Sequence, residues 1–386
     1  IVRIRPVPDA TSTLENEIRS MYYDPHRKLL LLGNKSNSIF LYYDNGKSLA
    51  HVVGRSKITS EGSIVNTEDT YYNTRTQRSQ LYGRSTIYNE SRSITADTLY
   101  HNDKTGENEG FGNVVYNDTL NKNMLISEYG TYNDMAGEGY ATGKAMAIDY
   151  SQNDSLWVHG DTLRVHTLYI NTDSVQREVY CYNHVRAYRR DLQAVCDSLV
   201  FLSKDSCATM YKDPIVWNNG SQLLGEKIKI HFNDSTISYA EVLGQAFSVE
   251  QLFDSVHYNQ VASRDMLSFF EDGKLRQNVA VSNVQVVYYP VDESDSTIIG
   301  LNYTETDTLR MYVSADRRLE KIWMSAGTGT LYPLTQTPPE KHKLPTFAWF
   351  DYVRPTSKED IFNWRPKAAG TELKRVKRRE APKRKL

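Results

Sequence analysis

Short apolar stretches, each cut off after a few residues by a turn-forming pair, most constrain what this chain can fold into. Val114-Val115-Tyr116 runs into Asn117-Asp118, and Met124-Leu125-Ile126 is followed by Asn133-Asp134 and Gly137. Residues 145–150 run into Asn153-Asp154, Leu156-Trp157-Val158 into Gly160-Asp161, and Leu163-Arg164-Val165 ends near Asn171. The rhythm returns at 179–182, 199–202, 228–232, 284–289, 309–313 and 319–323. Starts fall about 10–15 residues apart, the spacing of an all-β chain. Inside the stretches apolar residues alternate: Met146, Ile148 and Tyr150 share one face, as do Ile228, Ile230 and Phe232, and Leu163 and Val165. Successive side chains point to opposite faces of a strand, so one face is buried and the other wet. That pattern excludes a doubly wound parallel sheet, whose strands read as unbroken apolar runs. Helical periodicity is nearly absent, and its best candidate is residues 247–256, with a poor apolar stripe.

Composition agrees. Of 386 residues, 39% are hydrophobic and 24% charged, with 27 Tyr against 11 Phe and 5 Trp. Tyr packs its ring on a pleated surface while its hydroxyl reaches water, so a polar, Tyr-rich chain implies much sheet over a thin core. The formal net charge of −1 gives the chain no field for nucleic acid. No apolar run is long enough to span a bilayer as a helix. Cys181, Cys196 and Cys207 are odd in number and irregular in spacing, which is neither a disulfide framework nor a metal cluster. One pair between neighbouring strands, Cys181 with Cys196, stays open.

A repeat underlies the rhythm. Asp97-Thr98-Leu99, Asp161-Thr162-Leu163, Asp197-Ser198-Leu199 and Asp307-Thr308-Leu309 are each read as opening a strand. Between them lie Gly112-Asn113-Val114, Asn183-His184-Val185 and Ser282-Asn283-Val284. Degenerate repeats of short strands imply a stack whose units bury their faces only against neighbours.

These units resemble the OstA-like family, which includes the periplasmic lipopolysaccharide-transport proteins of the LptA type. The resemblance is clearest over residues 96–165, with Ala96-Asp97-Thr98-Leu99, Gly112-Asn113-Val114-Val115-Tyr116, Gly139-Tyr140-Ala141 and Gly143-Lys144-Ala145. A second block spans 259–334, with Phe269-Phe270 and a closing Gly329-Thr330-Leu331-Tyr332. The resemblance implies an elongated, twisted β-jellyroll, or β-taco, solenoid of short repeated strands. It also implies a non-enzymatic scaffold of the bacterial envelope that passes lipopolysaccharide or a similar glycolipid along an apolar groove. It would sit in the periplasm after removal of a signal peptide, meet other β-jellyroll transport subunits end to end, and need no cofactor or metal. Three segments are expected: 1–54 as first strands or a cap, 55–337 as the repeated stack, and 338–386 as a Pro/aromatic segment with a basic tail. The inward-facing groove candidates are Val114, Tyr116, Ile126, Met146, Ile148, Leu163, Val165, Leu199, Phe201, Ile228 and Ile230.

The end of the chain reads differently. Phe347-Ala348-Trp349-Phe350 is an aromatic patch among prolines, and Ser357 is placed to cap a short helical turn, with Asp360 in the position of the capping acid. Lys374, Arg375, Lys377, Arg378 and Arg379 form a basic run. It is read either as a grip on anionic head groups or as a solvated tail. Chemistry is sparse elsewhere. Gly137-x-Gly139-x-x-x-Gly143-Lys144 has the wrong spacing for a phosphate loop, and Ala145 stands where Ser or Thr is needed. His159, Asp161 and His166 do not share one strand face, and Glu107 with Glu109 and Asp292 with Glu293 read as solvated pairs. A rival reading is a structural or adhesive β-solenoid binding protein or glycan on its outer face.

Overall fold

The computed structural model describes residues 3–6, 20–24, 29–34, 39–44, 46–60, 63–170, 172, 174–218, 220–233, 236–292, 297–314, 319–369 and 371. The described residues are nearly all strand, and every register pairing is antiparallel. The all-β expectation holds. Residues 247–256 form no helix: Phe247 continues the strand Thr236–Gln251. Its short apolar run served a buried strand, which periodicity over so few residues does not separate from a helix. The chain divides into two compact units, Ile1–Tyr182 and Asn183–Leu386.

In the first unit, long strands succeed one another as hairpins: Leu49–Ser60, Ser63–Asn73, Arg78–Asn89, Arg92–Asn102, Glu107–Asp118 and Asn123–Asn133. Leu29–Asn34 and Ile39–Asp44 feed the same ladder from the N-terminal side. Each long ladder shifts register in the middle, between Asn66 and Asp69, Tyr82 and Ser85, and Thr95 and Thr98. There the strand bends, so one half lies in a first wall and the other half in a second wall folded back against it. Farther on, the bends become breaks: Asn123–Asn133 pairs Glu138–Thr142 on the first wall and Met146–Asp149 on the second.

The repeated triads mark these bends. Asp97, Asp197 and Asp307 lie inside Arg92–Asn102, Leu192–Leu202 and Leu301–Val313, and Gly112-Asn113 lies inside Glu107–Asp118. Of the four acidic triads only Asp161 stands just ahead of a strand, Thr162–Leu168. The reading of strand starts is therefore corrected to corners. At a corner the backbone passes through two successive left-handed residues: Gly112 and Asn113 (φ 72° and 48°), Gly143 and Lys144 (73° and 52°), Gly244 and Gln245 (74° and 49°), Ser282 and Asn283 (65° and 53°). Gly and Asn tolerate that region best, which explains their recurrence. Asp97 pins one corner. It accepts hydrogen bonds from Asn113 Nδ2 at 2.8 Å and Arg84 at 3.1 Å, and Arg84 also donates to the Asn113 carbonyl at 2.6 Å.

The first unit's core sits at the corner, where Leu81 and Leu99 of the first wall meet Ile87, Ala96 and Val114 of the second. The walls approach so closely that a Cβ on Gly110 would lie 3.2 Å from Val114.

The second unit repeats the plan. Its strands include Leu192–Leu202, Cys207–Tyr211, Ile215–Asn218, Ser221–Leu224, Lys227–Asn233, Thr236–Gln251, Tyr258–Glu271, Lys274–Tyr288 and Leu301–Val313. Leu319–Met324 and Gly327–Tyr332 end it, each pairing with Leu301–Val313. Beyond them the chain carries four short 3-10 turns between Leu334 and Phe362 and forms a strap. Leu344, Phe350 and Val353 of the strap bury against Ile215, Trp217, Leu224, Phe247 and Val249 on the outer side of the second wall.

Three buried glutamines on one register row clamp the strap. Gln260 accepts from the Leu344 N–H at 2.8 Å and donates to the His342 carbonyl at 2.8 Å. Gln222 accepts from the Phe350 N–H at 2.7 Å and donates to the Ala348 carbonyl at 2.9 Å. Gln193 accepts from Arg354 Nε at 2.7 Å. A side-chain amide thus satisfies a strap backbone that has no sheet partner. Buried Arg186 donates to the Val353 carbonyl at 3.0 Å and pairs with Asp360 at 3.3 Å. Burial pushes its guanidinium down to about 10, against the pull of Asp360. The Ser357 hydroxyl accepts from the Asp360 N–H at 3.2 Å, capping the last turn. All three cysteines are buried thiols, and burial pushes Cys181 up to about 12.

Candidate functional site

The two walls of the second unit part to leave a cavity of about 660 Å³. Its first-wall side is built from register rows that are mainly apolar across many strands. One row runs Met210, Ile228, Val242, Met266, Ala280, Leu309 and Met324. The next runs Ala208, Ile230, Ala240, Ser268, Asn278, Met311 and Ile322. From the deeper row Ile228, Leu309 and Met324 line the cavity, and from the second all but Ala208. Ile237, Phe270, Leu275, Val313 and Leu319 extend the apolar lining.

The facing second wall is mixed. Val216, Leu223, Val261 and Val286 line the cavity beside Ser248, Thr304, Asn218, Ser221, Asn259 and Asn302. The site is therefore amphipathic, with a mainly hydrocarbon first wall and a second wall that mixes valine and leucine with amides, hydroxyls and the Glu250 carboxylate. At the last two strands Ile322, Met324 and Leu331 remain 47%, 44% and 57% exposed. The apolar rows thus run out to an open end.

The eleven groove candidates separate by position. Ile228 and Ile230 line this cavity. Val114 belongs to the first unit's corner core, and Leu163, Met146 and Ile148 are buried there. Tyr116 lies tilted against Tyr132, 5.9 Å between ring centroids, and burial pushes its hydroxyl up to about 12. Ile126 is half-buried on Asn123–Asn133, and Val165 lines a different, polar trough. Leu199 and Phe201 are half-buried, Phe201 lying 6.3 Å from Phe232. The basic run Lys374, Arg375, Lys377, Arg378 and Arg379 lies outside the described residues.

Alternation alone missed most of the lining, because Ala240, Ser268, Asn278 and Thr304 are small or polar. The long strands after Thr236 carried the usable signal, with alternating residues at 237–249 and 275–287.

That polar trough, about 820 Å³, lies on the outer face of the first unit. Buried Gly110, Gly130, Ala141, Leu163 and Cys181 share one register row. The adjoining row, Glu109, Thr131, Tyr140, Arg164 and Tyr180, faces the other way and lines the trough. Glu107 and Glu109 are thus strand residues, not turn residues. An aromatic ladder leads into this surface: His51, Tyr71, Tyr82, Tyr100, Phe111, Tyr129 and Tyr140 follow one another at 3.9 to 6.5 Å between ring centroids. Arg164 closes it 5.6 Å above Tyr140.

Among the described residues no group of three or more His, Cys, Asp or Glu side chains is arranged to hold a metal ion. No helix there is long and apolar enough to cross a membrane. His159, one of the sequence's histidines of interest, is buried with Nδ1 2.7 Å from the Ala145 carbonyl.

No protein-family model matches the chain, and no curated protein does. Among solved structures it is similar to LptH, the LptA-homologous periplasmic component of the lipopolysaccharide transport device from Pseudomonas aeruginosa. The match has a TM-score of 0.25 and 12% identity, and covers 35% of this chain and 95% of LptH.

Proposed function

We propose that this chain is a non-enzymatic carrier of lipopolysaccharide or a similar glycolipid in the Gram-negative periplasm, holding acyl chain in the cavity of its second unit. The observation that supports this is the cavity wall. Apolar rows continue across successive strands, in a volume within the roughly 300–1,000 Å³ typical of ligand sites. Transfer of a lipid needs no catalytic group. Each buried methylene contributes about 0.8 kcal/mol, and the polar second wall suits the boundary between chains and head group. The exposed apolar ends of the rows at Ile322 and Met324, with Leu331 on the last strand of the second wall, offer a seam for a further transport subunit of the same build.

Ala240→Trp tests the reading. Ala240 lines the cavity in the middle of the second row, so an indole there takes up cavity volume that a chain would fill. Affinity for a fluorescent long-chain lipid should fall by about ten-fold or more, about 1.4 kcal/mol, with the strand signature in circular dichroism retained. Unchanged affinity in a folded variant would sink the proposal.

A second reading has its own support. The first unit's trough joins half-buried tyrosine rings with Glu107, Glu109 and Glu138. That combination suits stacking on sugar rings and accepting their hydroxyl hydrogen bonds. It favours a glycan on the outer face, either alone or as the head group of the same lipid.

A further inference from the structure

Six successive strands of the first unit, from Ser63–Asn73 to Glu138–Thr142, each present one aromatic ring on the outer face of the first wall. The rings are Tyr71, Tyr82, Tyr100, Phe111, Tyr129 and Tyr140, and they occupy two adjoining register rows. The other places in those rows hold Asp69, Gln80, Thr98, Glu109, Thr131 and Thr142, with no aliphatic side chain among them. Neighbouring strands lie about 4.8 Å apart, so the rings form a band about 24 Å long that crosses the strands. Phe111, near its middle, is 41% exposed. The band ends in the polar trough, where Glu107, Glu109 and Glu138 are set against one guanidinium, Arg164. Glu178 borders the same place, 3.7 Å from His166.

Cross-strand pairing explains rings beside rings. It does not explain the carboxylates, which repel one another on a shared face and are depleted from the cores of protein–protein interfaces. A carbohydrate uses both features. The C–H faces of a sugar pack on aromatic rings, and its hydroxyls donate charge-assisted hydrogen bonds to carboxylates. We propose that this face binds a linear polysaccharide of uncharged or amine-bearing sugars, laid across the strands with one end in the trough. Sugars carrying phosphate or carboxylate meet like charge at Glu107, Glu109 and Glu138 and are disfavoured. The ligand is therefore a different molecule from an anionic lipid head group. This assignment rests on the glycan reading of the trough, adds the direction and charge of the glycan, and is independent of the lipid cavity.

The test is isothermal titration of the full chain with the β-1,4-linked hexamers of glucose, glucosamine and glucuronic acid, which share one backbone and differ in charge. The glucosamine hexamer should bind tightest and the glucose hexamer next, with the glucuronate hexamer weaker than either by about ten-fold or more. Phe111→Thr, and Tyr100→Thr as a second variant, should each weaken the glucose hexamer by about ten-fold. Tyr88→Thr removes a ring that is 42% exposed on the other wall and should change nothing. Glu109→Gln should narrow the gap between the glucose and glucuronate hexamers. Circular dichroism establishes that each variant is folded. Glucuronate binding as tight as glucose binding overturns the proposal and leaves the glycan reading standing. Unchanged binding in both ring variants overturns it too. If none of the three hexamers binds, the glycan reading falls and this proposal with it, while the lipid cavity is untouched.

Discussion

Gly83 and Gly112 both sit in the left-handed region, with φ of 75° and 72°, at corners of the first unit. Their surroundings differ. A Cβ on Gly83 would meet nothing within 4 Å, whereas on Gly112 it would lie 2.7 Å from an Asp97 carboxylate oxygen. Gly83→Ala should therefore cost only the backbone term, about 1–2 kcal/mol. Gly112→Ala should cost more, because the new methyl group forces Asp97 to shift away from its hydrogen bonds with Arg84 and Asn113. Hydrogen exchange of the flanking strand amides checks both, and equal effects would mean that Asp97 does not pin the corner. The same pair of residues explains how the sequence misled. Gly112-Asn113 and Asp97-Thr98 carry the composition of turns, and turns between strands were the natural reading. A bend inside a strand uses the same left-handed backbone while its ladder continues on both sides, so local chemistry does not separate the two.

The strap is built of short 3-10 turns joined by irregular backbone. Its prolines and aromatic patch mark the end of the strand pattern, yet Leu344, Phe350 and Val353 are as buried as any strand residue. The signal was present in Gln193, Gln222 and Gln260, which are uncharged amides on otherwise apolar strands, but their partners lie more than eighty residues away. Sequence spacing cannot show that. The start of the strap is also sensitive to acid. His342 Nδ1 lies 2.8 Å from the Tyr289 hydroxyl and its ring 6.1 Å from that of His257. Burial, then His257, holds His342 below the usual histidine range. Hydrogen bonds from the His257 side chain and backbone hold Asp254 down at about 2. Both folded values lie below their unfolded ones, so both contributions are complete above the ordinary pKa and are lost on acidification. The histidine part fades as pH falls below about 6.5 and the aspartate part below about 4. Limited proteolysis within 334–345 should accelerate between pH 7 and pH 5, and His342→Gln should flatten that response. A cleavage rate independent of pH would contradict the assignment.

The strand rhythm and alternation made the all-β class legible, because a period of two is written in every strand. The position of the cavity was not legible. Both units carry the same alternation and the same corners. In the first, glycines at 110 and 130 let the walls close against Val114. In the second, pairs such as Ile230 with Ala240 and Ser268 with Asn278 leave room. Which stack fills its interior depends on side-chain volumes summed across two walls, and no single strand reveals that sum. The proposed function requires that lipid occupy this interior in the cell. Photocrosslinking from Ile230 and Met311, which line the cavity, against their outward neighbours Lys229 and Arg310, in cells with labelled lipopolysaccharide, addresses it directly. Adducts confined to Ile230 and Met311 are the predicted result. Adducts at none of the four positions in the folded protein, or equally at all four, would contradict it.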